Sequence, residues 1–479
     1  MHWLWQRAAQ TPEKLALVCG AERLRFADLA ARAEDWAARL QVAGLGRGDR
    51  LALRLRPGVD FAALLHAAWR IGAIAAPLNL RLAQAELQSQ LARIAPRLIL
   101  DGEAVVGEPP EALPQARGAA PVPLPPPLRP EAAALILFTS GASGFAKAAC
   151  LSFGALEASA RASAQRLQSR ATDRWLACLP LFHVSGLSIL LRSALDGSAV
   201  VLHEGFEAAR VRRALATESI THVSLVPTAL SRLLDAGGAP PAALRAVLLG
   251  GAAADFALCQ RARRAGFPLL ATYGLTEAAS QVATMAPGDA PDSGAGRPLP
   301  GTALRIVNAA GRALPPGESG EIWVRGPTLF MGYWNDAEAS RAALRDGWLR
   351  TGDLGHLDAQ GRLHVHGRRD DLIVSGGENI HPAEVEAVLL RHPAVREAAV
   401  CGLADGDLGQ RAAAFIVPER AAPPDSHPAL AQSLREHCRA HLAGYKIPRS
   451  FQFRSNLPRT ALGKLMRRRL RPDSPGSPE

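Results

Sequence analysis

The stretch "LFTSGASGFAKAA", residues 137–149, joins an apolar run to a loop of glycine and hydroxyl residues that ends in a lysine. An apolar strand opening into such a loop is the unit of an open α/β sheet, whose strand ends face a ligand crevice. Similar runs recur on both sides of it: "RLALRLR", "GAIAAPLN" and "RLILD" before, then "RWLACLPL", "SAVVLHEGF", "THVSLVP", "AVLLGG" and "FPLLATYG". They alternate with helix-period segments such as "FADLAARAEDWAARLQVAG", which predicts layered α/β architecture. In the loop, glycines let backbone N–H groups converge on an anion, hydroxyls add donors and lysine adds a mobile charge. The spacing is not that of a Walker A loop, and Ala148 stands where a Ser or Thr would hold Mg²⁺. A plain turn uses the same residues, so Lys147 is the informative one. The chain carries 55 Lys plus Arg but writes lysine only at positions 14, 147, 446 and 464.

From about residue 300 the texture changes to β-type pieces, "ALRIVN", "GEIWVRG" and "GRLHVHGR". After them comes a compact series of strand, helix, strand, strand and helix. The expectation is a large N-terminal α/β domain over 1–367, made of layered sheets with helices plus a small β subdomain. A hinge at 368–371, a small mobile α+β domain over 372–470 and a disordered tail at 471–479 complete it. The proline-rich "PVPLPPPLRP" at 121–130 reads as extended and irregular. A length of 479 residues agrees with roughly three folding units at about 150 residues each.

Composition narrows the class. Hydrophobic residues make up 48% and charged residues 21%, the balance of a globular protein. No apolar run reaches the ~18 residues needed to cross a bilayer, and "MHWLWQRAAQTPEKLAL" lacks the form of a signal peptide, so a cytoplasmic location is expected without membrane insertion. Six scattered cysteines without a C-x-x-C pair argue against structural zinc and a disulfide framework. A net charge of +11 would suit anionic ligands. With aromatics at 5% and most arginines dispersed along helices such as "RVRRALATES", nucleic acid is not the expected partner.

Three further stretches carry polar groups at strand ends or turns. In "ATYGLTEAASQVAT", 271–284, a strand ends at Tyr273-Gly274, and Thr276 and Glu277 open an expected helix. Hydroxyl and carboxylate there suit a phosphate and a divalent cation, though helix capping explains them equally. In "WLRTGDLGHLDAQGRLHVHGRRDD", 348–371, Asp353 could accept both hydroxyls of a ribose with Arg368 close by, or the segment is a hairpin with ordinary turn residues. In "LPRTALGKLMRRRL", 457–470, Gly463 frees the backbone and Lys464 projects from a loop.

In this order the four stretches resemble the adenylate-forming superfamily of acyl-CoA synthetases, adenylation domains and luciferase-like enzymes, over nearly the whole chain. The resemblance implies ATP, Mg²⁺ and coenzyme A as cofactor and co-substrates. It implies ATP binding by Thr139, Ser140, Gly141, Ser143, Gly144 and Lys147, by Gly250 and Gly251, and by Tyr273, Gly274 and Thr276, with Asp353 and Arg368 on the ribose. Glu277 would hold the metal, Asp370 would be the hinge, and Gly376 and Gly377 in "SGGEN" would line the coenzyme A tunnel. Catalysis would fall to Lys464, Thr276 and His183. Two departures are Ala142, where a Thr or Ser is usual, and Phe145-Ala146 in place of Lys-Pro. Lysine fits the implied step, because a compact ammonium bridges a carboxylate and a phosphate oxygen where arginine's fork prefers one partner.

"LPLFHVSGLSILLRSALDG", 179–197, and "THVSLVPTAL", 221–230, should line the acyl site. No aspartate lies between His183 and Ser193, which disfavours an amino-acid substrate. Together with "YGLTEAASQVAT" and "SGGENIHPAEVE" they are similar to the o-succinylbenzoate–CoA ligases, which implies an aromatic keto acid with two carboxylates and a role in menaquinone synthesis. Another aryl- or fatty-acyl-CoA ligase is the alternative. Acyl contacts are expected from His183, Ser188, Arg192 and Ser280. Ser188 and Arg192 are i,i+4 on one helix face, which either receives the second carboxylate or is an ordinary surface. The sequence leaves a homo-oligomer open.

Overall fold

The computed structural model describes residues 3–102, 129–139, 146–252, 256–375, 378–406, 408–420, 423–460, 463 and 465–470. Two large sheets form the N-terminal domain. In the nine-stranded one, six parallel strands run in the spatial order Leu269–Leu275, Ala246–Leu249, His222–Leu225, Arg174–Ala177, Ala199–Leu202 and Leu15–Cys19. Antiparallel strands close it: Glu22–Arg25 at one edge, Ser280–Thr284 and Arg297–Pro298 at the other. The six-stranded sheet is built on Arg50–Leu55, Ile74–Pro77, Leu98–Gly102 and Ala133–Thr139 in parallel, with Lys147–Ser152 folded back antiparallel. These strands are apolar on both faces because helices cover them, as parallel sheets require.

One core joins the two sheets. Trp3, Trp69 and Phe153 meet edge to face with centroids 5.9–6.2 Å apart, and Trp36, Trp175 and Phe26 are fully buried in the same cluster. A smaller antiparallel sheet follows, with Gly320–Arg325 between Ala303–Val307 and Trp348–Leu357, and Leu363–Arg368 paired on the latter. The small C-terminal domain has its own sheet, Glu378–Ile380, Ile373–Ser375, Gly409–Pro418 and Val395–Asp405 with Ser450–Phe453. Its apolar clusters draw only on residues from Ile373 onward. Among the described residues no helix is long and apolar enough to cross a membrane. The proline-rich segment lies outside the described residues, apart from Arg129 and Pro130.

One element differs from the sequence expectation. Thr276 and Glu277 do not open an α-helix; Thr276–Ala278 is a single 3₁₀ turn followed by the strand Ser280–Thr284. Ala279 at φ 52° and Ser280 at φ 110° break any helical continuation. The backbone then turns to pair antiparallel with Leu269–Leu275, a context in which the β-branched Val282 and Thr284 are favoured.

Candidate active site

The hairpin of Ala133–Thr139 and Lys147–Ser152 has Thr139 opposite Lys147, whose carbonyl accepts from the Thr139 hydroxyl at 3.4 Å. Ser140, Gly141, Ser143 and Gly144, and the departures Ala142 and Phe145, lie outside the described residues. Lys147 carries its ammonium 5.0 Å from the ring centroid of Tyr333. The other described lysines are engaged elsewhere: Lys14 donates to the carbonyl of Ala171 and Lys446 pairs with Glu384 at 2.7 Å.

The strand ends bring the next group together. Gly250 follows Ala246–Leu249, and a Cβ there would lie 2.7 Å from the Thr272 methyl and 2.9 Å from its carbonyl. Gly251 has φ +78°, a conformation glycine adopts without strain. At Gly274 a Cβ would stand 2.0 Å from the Ser280 carbonyl, so only glycine lets the bulged pair close. Tyr273 between them donates its hydroxyl to Asp353 Oδ2 at 2.5 Å.

Asp353 is the centre of this end of the site. It is buried in Trp348–Leu357, directly across the hairpin from Arg368, which binds its Oδ1 at 2.7 Å. Thr351 Oγ1 accepts from the Asp353 amide at 3.0 Å and itself donates to the Ile322 carbonyl. Burial, then the Asp353 charge, push the Tyr273 phenol well above its usual pKa, so it stays a donor. Burial opposes the charge of Arg368, but the Asp353 carboxylate, helped by other nearby acids, outweighs it and raises its pKa. Glu277 accepts from the Tyr333 hydroxyl at 2.8 Å. Among the described residues no cluster of three metal-binding side chains exists. A Mg²⁺ held by Glu277 would thus take its remaining ligands from substrate phosphates and water, the usual mode for this ion.

The stretches expected to line an acyl site lie nearby, the helix Val184–Asp196 packing on the strand Ser280–Thr284 through Arg192 and Gln281. His183 is the N-terminal flanking residue of the helix Val184–Asp196, in a turn so tight that a Cβ at Gly186 would lie 2.5 Å from the Pro180 carbonyl. Burial lowers the His183 pKa to about 4, so its ring is neutral at neutral pH. Ser188 and Arg192 share a buried face of that helix, which settles against the surface alternative for Arg192. The Ser188 hydroxyl reaches the Ser185 carbonyl at 3.5 Å. Arg192 donates to Gln281 Oε1 at 2.9 Å and lies 5.3 Å from the Trp175 ring centroid. Gln281 also accepts from Ser163 at 2.6 Å and donates to Thr284 at 3.0 Å. Arg192 forms no ion pair among the described residues, and its Nε is buried without a partner. Burial lowers its pKa to about 10, with Asp196 acting in the opposite direction. Ser280 is buried next to Gln281.

The small domain reaches the same place. At Gly463, φ +77°, a Cβ would lie 2.5 Å from Thr228 Oγ1. Thr228 is in the first turn of Pro227–Asp235, directly after Val226, whose Cγ1 is 3.3 Å from the Cβ position of Gly251. Residue 463 therefore packs on Thr228, two residues beyond the Val226 that neighbours Gly251. Lys464, Gly376 and Gly377 lie outside the described residues, and Asp370 is described only as backbone, in the 3₁₀ turn Arg369–Asp371. Sequence reasoning missed Tyr333, Thr351 and Gln281. Tyr333 carried a signal of the kind used for lysine, since the chain has only three tyrosines.

Strand ends, a glycine-lined edge and a buried carboxylate flanked by Tyr and Arg, with Gly463 of the smaller unit packed on Thr228, suit an enzyme that uses a nucleotide. Residues 4–334 match the AMP-binding enzyme family and residues 384–464 match the AMP-binding enzyme C-terminal domain, so the chain belongs to the AMP-binding enzymes. It is 39% identical to the 2-succinylbenzoate–CoA ligase of Bacillus licheniformis, over 98% of this chain and 99% of that one. The o-succinylbenzoate CoA synthetase of Bacillus subtilis, in complex with the acyl-adenylate intermediate OSB-AMP, is 37% identical. It superposes with a TM-score of 0.91 over 99% of this chain and 98% of that one. A double mutant of the same enzyme bound to its product analogue OSB-NCoA, also 37% identical, covers 98% and 97% of the two chains with a TM-score of 0.73.

Proposed function

We propose that the protein is an ATP-dependent carboxylate–CoA ligase that converts o-succinylbenzoate to its CoA thioester by way of an acyl-adenylate, a step of menaquinone synthesis. The observation that carries this reading is end-to-end similarity to 2-succinylbenzoate–CoA ligases. The paired groups Tyr273, Asp353 and Arg368 support the nucleotide half of it.

In the first half-reaction a substrate carboxylate attacks the α-phosphate of ATP and pyrophosphate leaves. Asp353 accepts the ribose hydroxyls, Tyr273 packs along the adenine with Gly250 and Gly251 at its edge, and Thr276 and the 139–147 hairpin hold the phosphates. Glu277 holds Mg²⁺, which when bound draws charge from the phosphate oxygens. Lys464 brings an ammonium to the junction of two anions, where a preorganised charge is worth most. The packing of Gly463 on Thr228 supports that placement. Residues 372–470 rotate about 368–371 between half-reactions, a reading with which the lower superposition on the product-analogue complex, 0.73 against 0.91, agrees. After it, Gly376 and Gly377 admit the CoA thiol, His183 gates its approach, and thiol attack releases AMP. Ser188, Arg192 and Ser280 hold the acid, with Arg192 on the second carboxylate. The enzyme works as a cytoplasmic protein on three small molecules.

The test is thioester formation, followed by mass spectrometry, with ATP, Mg²⁺, CoA and a panel of acids. o-Succinylbenzoate should give its CoA thioester. Turnover of benzoate or a medium-chain fatty acid with none of o-succinylbenzoate would refute the substrate and favour the other aryl- or fatty-acyl-CoA ligases.

A further inference from the structure

Tyr333 stands between the two groups that handle phosphate charge. Its strand, Gly332–Tyr333, pairs antiparallel with the Lys147 strand, Tyr333 opposite Ala149 and Gly332 opposite Cys150. The amide of Trp334 donates to the Ala148 carbonyl at 2.7 Å, which extends that join toward Lys147. On the other side the Phe330 amide donates to the backbone carbonyl of Glu277 at 2.9 Å. The Phe330 ring meets that of Tyr333 edge to face at 4.9 Å, and the Tyr333 amide is tied to Ser340 at 2.8 Å. The backbone around Tyr333 is therefore tied on three sides, and Phe330 packs against its ring. Its face carries the Lys147 ammonium at 5.0 Å and its hydroxyl donates to Glu277 Oε1 at 2.8 Å.

We propose that Tyr333 is a positioning residue that sets Glu277 for the divalent cation and Lys147 for the phosphates as one unit. The phenol occupies one carboxylate oxygen of Glu277 and leaves the other for the ion, so the carboxylate cannot rotate both oxygens into its own hydrogen bonds. Hydrogen-bonded partners of a metal-binding carboxylate orient it in this way. The ring face attracts the ammonium, which keeps Lys147 near the hairpin mouth without an anion to neutralise it. The inference rests on the proposed assignment of Glu277 to Mg²⁺.

Tyr333→Phe keeps the ring, the Phe330 contact and the Ser340 tie and removes only the hydroxyl. ATP binding is measured by calorimetry with and without Mg²⁺ and without any acid, so an error in the proposed acid cannot affect the result. Tyr333→Phe should weaken binding in Mg²⁺ by about 10-fold and leave Mg²⁺-free binding unchanged. In a Glu277→Gln background it should have no further effect, the non-additivity expected of residues acting through one another. Tyr333→Leu, which also removes the ring face, should add a further ~3-fold loss that does not depend on Mg²⁺. Equal weakening with and without Mg²⁺ in Tyr333→Phe, or full additivity with Glu277→Gln, would overturn the proposal. So would a Tyr333→Phe protein that melts well below wild type, since the residue would then be structural.

Discussion

The two ends of the site treat buried charge in opposite ways. At the nucleotide end, Asp353 is flanked by Tyr273 at 2.5 Å and Arg368 at 2.7 Å, and Glu277 accepts from Tyr333 at 2.8 Å. At the end proposed to hold the acid, Arg192 is as buried as Asp353 but faces the neutral amide of Gln281, with Nε unpartnered. Burial of this cation is costly and lowers its pKa to about 10, and Asp196, one turn further along the helix, offsets only part of that without forming an ion pair. A ligand anion would relieve that cost. Paired charges form a cradle that exists before the ligand arrives, while a buried cation with no ion pair is where a ligand carboxylate would gain most.

The largest expected effect tests the cradle. Lys464→Ala should slow acyl-adenylate formation about 10²–10³-fold, measured as pyrophosphate release, yet spare thioester formation from presynthesised adenylate. Equal loss in both half-reactions would mean that the second domain acts only by folding the site.

Next comes the unpaired charge itself. Arg192→Met should lower kcat/KM for o-succinylbenzoate about 10–100-fold, the range for losing a charged hydrogen bond. Any turnover of benzoate, which has no second carboxylate, should change little. Parallel losses for both acids would assign Arg192 to structure and dissolve the contrast between the two ends. Gln281→Glu sharpens the same point by giving Arg192 an internal counter-ion. It should cost about 10-fold in kcat/KM for the dicarboxylate, while the melting temperature holds or rises because a buried cation has gained a partner.

How much of this was legible beforehand follows the distance between partners. The strands and the small domain were readable because hydrophobic period is a local property, and the glycine edge at Gly250 and Gly274 was readable from local composition. What sequence order hid were pairs made by the fold: Tyr273 with Asp353 across 80 residues, Arg192 with Gln281 across 89, and Tyr333 with Glu277 across 56. Gln281 drew no notice because an uncharged amide inside an apolar run carries no signal until the helix Val184–Asp196 packs on it. Thr276-Glu277 misled for a different reason. A hydroxyl followed by a carboxylate opens an α-helix and a 3₁₀ turn alike, and what decided between them was the pairing of the next five residues with their neighbouring strand.

The smallest effect at working pH, and the sharpest on acidification, concerns His183 at the mouth of the acyl end. Pairing holds charges in place at the nucleotide end, whereas desolvation alone keeps His183 neutral, with its pKa lowered to about 4. The unfolded chain would protonate this ring near 6.5. Between those values the unfolded state binds a proton that the folded state refuses, so stability falls as pH falls. The contribution of His183 is complete above about pH 6.5 and lost progressively down to about pH 4, with a slope of at most about 1.4 kcal/mol per pH unit. His183→Asn should leave stability at pH 7.5 little changed and make its decline between pH 6.5 and 4 shallower, measured by chemical denaturation across a pH series. Other desolvated histidines, the buried His203 and the half-buried His366 among them, add slopes of the same sign, so the difference between wild type and variant is the readable quantity. An identical slope in the two proteins would mean that His183 takes up its proton as readily folded as unfolded, and that water already reaches the acyl mouth.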